Sequence, residues 1–232
     1  MPSFFEALRT SDLPLIMELK ARDPHGDDLM AGRGVTEVVR AYEMAGASCI
    51  SVVTGRWFGG TPGLLREVVR LTGLPVLQKD FVTRRDQVHA ARDLGASAVL
   101  LTAGLLTPTA LGRLAGTALD AGLTPFVEVT TEKEIASLPF PDRYVVAVNN
   151  KDIKQRECNP PRLDRSRGLL PALVAAGVGC PVSASGIEAP TDAADLLARG
   201  YGGLLVGTSL LRHSDPMAWV AEVADAHCRS AL

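Results

Sequence analysis

Short apolar runs alternate with amphipathic stretches along the whole chain. Eight runs carry β-branched or leucine-rich character: Pro14–Leu19, Ser48–Val53, Pro75–Gln78, Ser97–Thr102, Thr124–Val129, Tyr144–Val148, Pro181–Ala184 and Gly203–Val206. Each is too short for a helix and apolar at successive positions, as strands buried on both faces are. Their starts fall 20 to 37 residues apart, close to the size of one βα unit. Between them the period changes. Val35, Val38, Val39 and Tyr42 form the stripe of a helix that buries one face. Thr61-Pro62 and Thr107-Pro108 place a cap residue and then proline ahead of Leu64–Leu71 and Leu111–Leu119. Thr131-x-x-Glu134 reads as a capping box, and Gly46, Gly73, Gly95, Gly122 and Gly200 punctuate helix ends.

Doubly buried strands alternating with helices predict an α/β fold with a parallel sheet. Eight such units predict one (βα)8 TIM barrel over residues 1–232, with residues 1–13 as a lead-in helix covering its floor. A doubly wound open sheet is disfavoured, because no Gly-x-Gly-x-x-Gly follows the first strand. Nothing in the composition divides the chain.

Composition narrows the function classes. Of the 232 residues, 47% are hydrophobic and 22% charged, an ordinary globular balance, and the formal charge of −2 offers nothing to nucleic acid. No apolar run approaches a membrane span, and the first residues lack the basic start and apolar core of a signal peptide. Cys49, Cys158, Cys180 and Cys228 lie far apart with no Cys-x-x-Cys pair. These features predict a reduced, cytoplasmic protein without a zinc site, acting as a monomer or homodimer.

Candidate chemistry gathers at the strand ends. The chain holds five lysines against nineteen arginines, and Lys20, Lys79 and Lys151 close three separate strand-like runs. In a barrel of this kind, working residues sit at the C-terminal strand ends and the loops beyond them. Those positions hold Glu18 and Lys20, then Lys79, Glu128, Asn149-Asn150-Lys151, Ser183-Ala-Ser185-Gly186 and Gly207-Thr208-Ser209. Two carboxylates and two or three ammonium groups would converge, unless they are only salt bridges across the barrel mouth. The small residues after strands seven and eight, Ser185, Gly186, Gly207 and Thr208, are placed to bind a phosphate.

These residues resemble a known family. Glu18-Leu-Lys20, Leu77-Gln-Lys79-Asp80-Phe81, Val127-Glu128-Val129, Val148-Asn149-Asn150-Lys151-Asp152, Ser183-Ala-Ser185-Gly186-Ile187 and Val206-Gly207-Thr208-Ser209-Leu210 look like indole-3-glycerol-phosphate synthase of tryptophan biosynthesis. The resemblance runs from about Leu15 to Pro216. It implies a carbon–carbon lyase, a decarboxylase, that closes an indole ring from a carboxyphenylamino-deoxyribulose phosphate with loss of carbon dioxide and water. It implies that Lys79 is the general acid and that Lys20 grips the carboxylate. Glu128 would handle dehydration, and Glu18 would orient and tune the lysines. Asn149 would hydrogen-bond the substrate, with Lys151 beside it, while Phe81 and Ile187 would wall an aromatic ring. Ser185, Gly186, Gly207 and Thr208 would hold the phosphate of this small-molecule substrate. Neither metal nor organic cofactor is implied. The alternatives are a paralogue acting on another phosphorylated substrate, a phosphosugar isomerase or epimerase, and a non-catalytic phosphate-ligand binder.

The chain departs from the family pattern at four places. Asp23-Pro24-His25 replaces a Ser-Pro-Ser loop, Ala184 replaces a glutamate, Lys151 replaces an arginine, and only seventeen residues precede Glu18. An aspartate at 23 would repel phosphate. Asp23 is therefore expected either to balance Lys20 and Lys79 in place of the lost glutamate, or merely to cap the turn before Pro24.

Overall fold

The computed structural model describes residues 3–151 and 160–230; Asp152 and Cys158 lie outside them. Among the described residues eight parallel strands close into a barrel in sequence order, with β8 returning to β1. They are β1 (Leu15–Leu19), β2 (Cys49–Val53), β3 (Val76–Lys79), β4 (Ala98–Thr102), β5 (Thr124–Val129), β6 (Val145–Asn149), β7 (Cys180–Ala184) and β8 (Leu204–Val206). All eight predicted runs are strands, shifted by one residue or so at their ends. Lys79 and Asn149 prove to be the last residues of β3 and β6.

The helices are α1 (Phe4–Arg9), α2 (Val35–Met44), α3 (Pro62–Leu71), α4 (Arg85–Asp93), α5 (Pro108–Asp120), α6 (Glu132–Ala136), α7 (Leu163–Ala175), α8 (Pro190–Ala198), α9 (Thr208–Arg212) and α10 (Pro216–Ser230). Thr61 and Thr107 cap α3 and α5 as their sequence demands, accepting from Leu64 N and Ala110 N with proline at the first position. Two local expectations are modified. Thr131 caps α6, but the Glu134 carboxylate reaches Thr130 N rather than the cap's own amide, so the box is only half closed. Gly73 is not a left-handed helix end: α3 stops at Thr72 in extended conformation, whose hydroxyl bonds Glu43 and Leu74 N instead.

The period of two sorts every strand into two faces. Ile16, Leu77, Leu100, Phe126, Ala147, Val182 and Leu205 pack together inside the barrel. Their neighbours Met17, Val76, Leu101, Val127, Val146, Leu204 and Val206 pack outward in the larger cluster with the helices. The lead-in helix seals the floor. Ser3 and Glu6 form a capping box at its start, and Phe4 stands edge-on to Phe126 with ring centroids 6.1 Å apart. Cys49 and Cys180 are buried free thiols of this inner cluster, and burial pushes both thiols up, away from reactivity.

With the floor filled, the cavity lined by Glu18 and Lys20 lies at the C-terminal strand ends. Phe4→Ala should leave a cavity in the inner cluster and lower the unfolding free energy in urea melts by about 3–5 kcal/mol. A loss below about 1 kcal/mol would show that α1 does not seal the barrel.

Candidate active site

At the barrel mouth the inward face changes from apolar to charged. Two residues beyond Ile16 stands Glu18; two beyond Leu77 stands Lys79; two beyond Phe126 stands Glu128; and two beyond Ala147 stands Asn149. Alternation therefore aims all four towards the axis. Glu18 bridges the two lysines: Lys20 Nζ lies 3.3 Å from Oε1 and Lys79 Nζ 3.4 Å from Oε2. All three side chains are buried or nearly so. Burial pushes the Glu18 carboxyl up, but the charges of Lys79 and Lys20 outweigh it and hold the group below its usual value. Glu128 is 2% exposed and pairs in register with Thr102 and Ala147. Asn149 is fully buried; its Oδ1 accepts from Lys151 N, while among the described residues its Nδ2 has no hydrogen-bond partner. A buried donor left open is costly unless a ligand completes it.

A cavity of about 460 Å³ opens beside this charged group. It runs from Glu18 and Lys20 to the loops after β7 and β8, where Ser185, Gly186, Gly207 and Thr208 line it. Ser185 and Gly186 are both left-handed, at φ 68° and 72°. A side chain at 186 would collide with Pro161. The turn is held from beneath by Asn150, which is fully buried. Its Nδ2 donates to Ser183 Oγ, Ala184 O and Ser185 O, and its Oδ1 accepts from Ser166 N and Oγ. Such a turn presents backbone amides to an anion.

The family match and the curated relatives agree on one family. The model of "Indole-3-glycerol phosphate synthase" matches residues 1–223. The chain belongs to the indole-3-glycerol phosphate synthase family. It is 36% identical to the indole-3-glycerol phosphate synthase of Thermococcus kodakarensis over 212 residues, covering 91% of this chain and 92% of that protein. The corresponding protein of Neisseria meningitidis is 34% identical over 226 residues, covering 95% and 85%. Indole-3-glycerol phosphate synthase 2 of Streptomyces coelicolor is 35% identical over 215 residues, covering 92% and 81%. Among solved structures, 3-hexulose-6-phosphate synthase from Salmonella typhimurium superposes with a TM-score of 0.70 at 15% identity, covering 94% of this chain and all of that one. That likeness shows the shared barrel alone.

Against the pattern of this synthase family, the structure sorts the candidate residues. Glu18, Lys20, Asp23, Lys151, Ser185, Gly186, Ile187, Gly207 and Thr208 line one cavity, and Lys79 joins it through Glu18. Phe81 does not share this cavity with Ile187. It stands edge-on to Trp57, 5.4 Å between centroids, at a second cavity of about 600 Å³. Gly207 has a second reason to be glycine: a Cβ there would lie 2.8 Å from Glu18 Oε1, so this residue gives the bridging carboxylate its room.

Asp23 requires a correction. It does not balance the lysines; that charge comes from Glu18. Asp23 is 3% exposed, and its Oδ1 accepts from His25 N at 2.8 Å and Asp27 N at 3.0 Å. Its Oδ2 accepts from Arg212 Nη2 at 2.8 Å. The turn-capping reading holds for the geometry, but the residue is buried and ion-paired rather than solvated. Burial raises its carboxyl, and the two amides with Arg212 lower it further than burial raises it.

Several contributors escaped sequence reasoning. Trp57 and Arg212 carry no spacing signal that ties them to the mouth; Asn150 is legible at the end of β6, but its hold on the Ser185 turn is not. Ser51 and Thr102 did carry one: inward positions on β2 and β4, with buried hydroxyl oxygens that find no partner among the described residues.

Replacing Glu18 by glutamine removes the carboxylate that faces both ammonium groups and should destabilise the barrel at neutral pH. Because the folded carboxyl titrates below the usual 4.5, its contribution is complete above that value and is lost as pH falls through the depressed one. The stability gap between wild type and Glu18→Gln, from urea melts, should be widest near neutrality and narrow under acid. A gap unchanged down to about pH 3 would contradict the bridge.

Proposed function

We propose that this chain is an indole-3-glycerol-phosphate synthase, a decarboxylating lyase acting on carboxyphenylamino-deoxyribulose phosphate. The observation that carries this reading is the Glu18 bridge between Lys20 and Lys79, opening onto a cavity that ends in the Ser185–Gly186 and Gly207–Thr208 loops. Cationic proton donors at one end and an anion cradle at the other suit a substrate with a reacting ketone and a distant phosphate. Family membership over nearly the whole chain supports the ordinary ring closure rather than another phosphorylated substrate.

In the proposed reaction the ring carbon bearing the carboxylate attacks the ketone carbon. Lys79 gives its proton to the carbonyl oxygen, so that a hydroxyl forms as the new carbon–carbon bond does. Lys20 holds the carboxylate until it leaves as carbon dioxide, and its bonding electrons restore the aromatic ring. Glu128 then serves the dehydration, in which the hydroxyl leaves as water and the neighbouring carbon gives up a proton. Glu18 keeps both ammonium groups charged and aimed. Asn149 Nδ2 is the donor for the substrate, Lys151 supplies positive charge at the cavity rim, and Ile187 is its apolar wall. Phe81 walls the aromatic end together with Trp57. Asp23 acts at the phosphate end. The protein works without metal or organic cofactor, in the cytoplasm, as a monomer or homodimer. No described helix is long and apolar enough to cross a membrane.

Lys79→Met tests the assignment. Turnover of carboxyphenylamino-deoxyribulose phosphate, followed by indole fluorescence, should fall by about 10²–10⁴-fold while phosphate still binds. A loss under about tenfold would remove Lys79 from the role of acid.

A further inference from the structure

We infer that Arg212 is a ligand for the substrate's phosphate and that Asp23 is the residue that positions it. This rests on the proposed phosphate site and extends it to a side chain outside the glycine loops.

Lys151 brings one cation to the rim of this cavity, whereas a phosphate monoester carries about −1.5 to −2 charge at neutral pH. The cradle is built from Ser185, Gly186, Gly207 and Thr208, none of which is charged, and Asp23 and Glu188 bring carboxylates to the same lining. Lys20 is committed to Glu18, 3.3 Å away. Arg212 lines the cavity too. It stands four residues after Thr208 on α9, one turn further along the same helix face.

The guanidinium is fixed from one side only. Its Nη2 donates to Asp23 Oδ2 at 2.8 Å and lies 3.7 Å from Asp27 Oδ2, while the side chain remains 56% exposed. An arginine carries five N–H donors in a planar fork, so the bond to Asp23 leaves others for a second anion. Asp23 is itself held by the amides of His25 and Asp27, which donate to its Oδ1. The base of α9 is tied to the same loop by Arg33, whose guanidinium donates to Leu29 O, Met30 O and Leu211 O. Both ends of the Asp23–Arg212 pair are therefore anchored before any ligand arrives. A flexible arginine loses rotamer freedom on binding; a preset one has already lost it. The aspartate that would repel phosphate from position 23 instead recruits the cation that attracts it.

A plainer role for Arg212 would be to cancel the charge of Asp23 without touching the ligand. Calorimetric titration with inorganic phosphate separates the two. Arg212→Gln should weaken binding at least about tenfold, and Arg212→Lys should recover only part of it, because the charge returns without the fork. The double variant Asp23→Asn/Arg212→Gln removes the repulsion together with the cation; the asparagine oxygen still caps the loop. If Arg212 contacts phosphate, the double variant stays as weak as Arg212→Gln. Recovery of wild-type affinity in the double variant would overturn the inference and leave Arg212 a shield. Wild-type affinity in Arg212→Gln alone would overturn it as well. If wild type itself fails to bind phosphate, the cavity is no phosphate site, and the reading beneath this inference fails with it.

Discussion

The mouth of this barrel depends on one carboxylate between two ammonium groups. Lys20 and Lys79 are both largely buried, where an ammonium group is costly unless an anion stands beside it. Glu18 supplies it to both, and three other features hold Glu18 in place. Period two aims it inward from β1; Gly207 leaves the space its carboxylate occupies; and Tyr42, from α2, donates its hydroxyl to Glu18 O at 2.9 Å. The pair of cations is thus set by the strand, the helix outside it and the loop that follows the neighbouring strand β8. That arrangement fixes the direction of the protons before substrate enters, which is where orientation contributes most to a ring closure.

The proposed phosphate end rests on different physics. Its geometry is backbone geometry: consecutive left-handed residues at Ser185 and Gly186, stabilised from below by a buried amide rather than by charge. A non-glycine residue in that region is strained, and Asn150 with Ser166 and Ser183 forms the network that holds it. Tyr201 closes this network by donating to Ser166 O at 2.8 Å. A rigid anion site far from the reacting carbons lets binding energy at the phosphate orient the ring and the ketone. The two ends meet at Gly207, which borders the cradle and makes room for Glu18.

The barrel was legible in the sequence because both of its periods are strong. Doubly buried strands show as unbroken apolar runs, and Thr-Pro pairs mark the helix starts, so every strand was placed. Working residues of a barrel sit at its strand ends, which is why Glu18, Lys79, Glu128 and Asn149 are legible; counting inward positions by two adds Ser51 and Thr102. What stayed hidden depends on contacts between residues distant in the chain. The Asp23–Arg212 pair spans 189 residues, and nothing near Asp23 announces its partner. Assigning Asp23 to the lysines rests on the glutamate replaced by Ala184, whereas the loop turns the Asp23 carboxylate towards Arg212 on α9. Phe81 was separated from Ile187 for the same reason: strands three and seven lie on different sides of the mouth. Gly73 and Thr131 differ because a hydroxyl or carboxylate found a partner just outside the local motif.

The central claim is that the two lysines around Glu18 close an indole ring with loss of carboxylate. Its most direct measurement is the stoichiometry of the wild-type reaction on carboxyphenylamino-deoxyribulose phosphate, with indole fluorescence and released carbon dioxide recorded together. Equal amounts of indole product and carbon dioxide, formed at the same rate, are the result this account predicts. Binding of the substrate without carbon dioxide release, or release without indole, would contradict it.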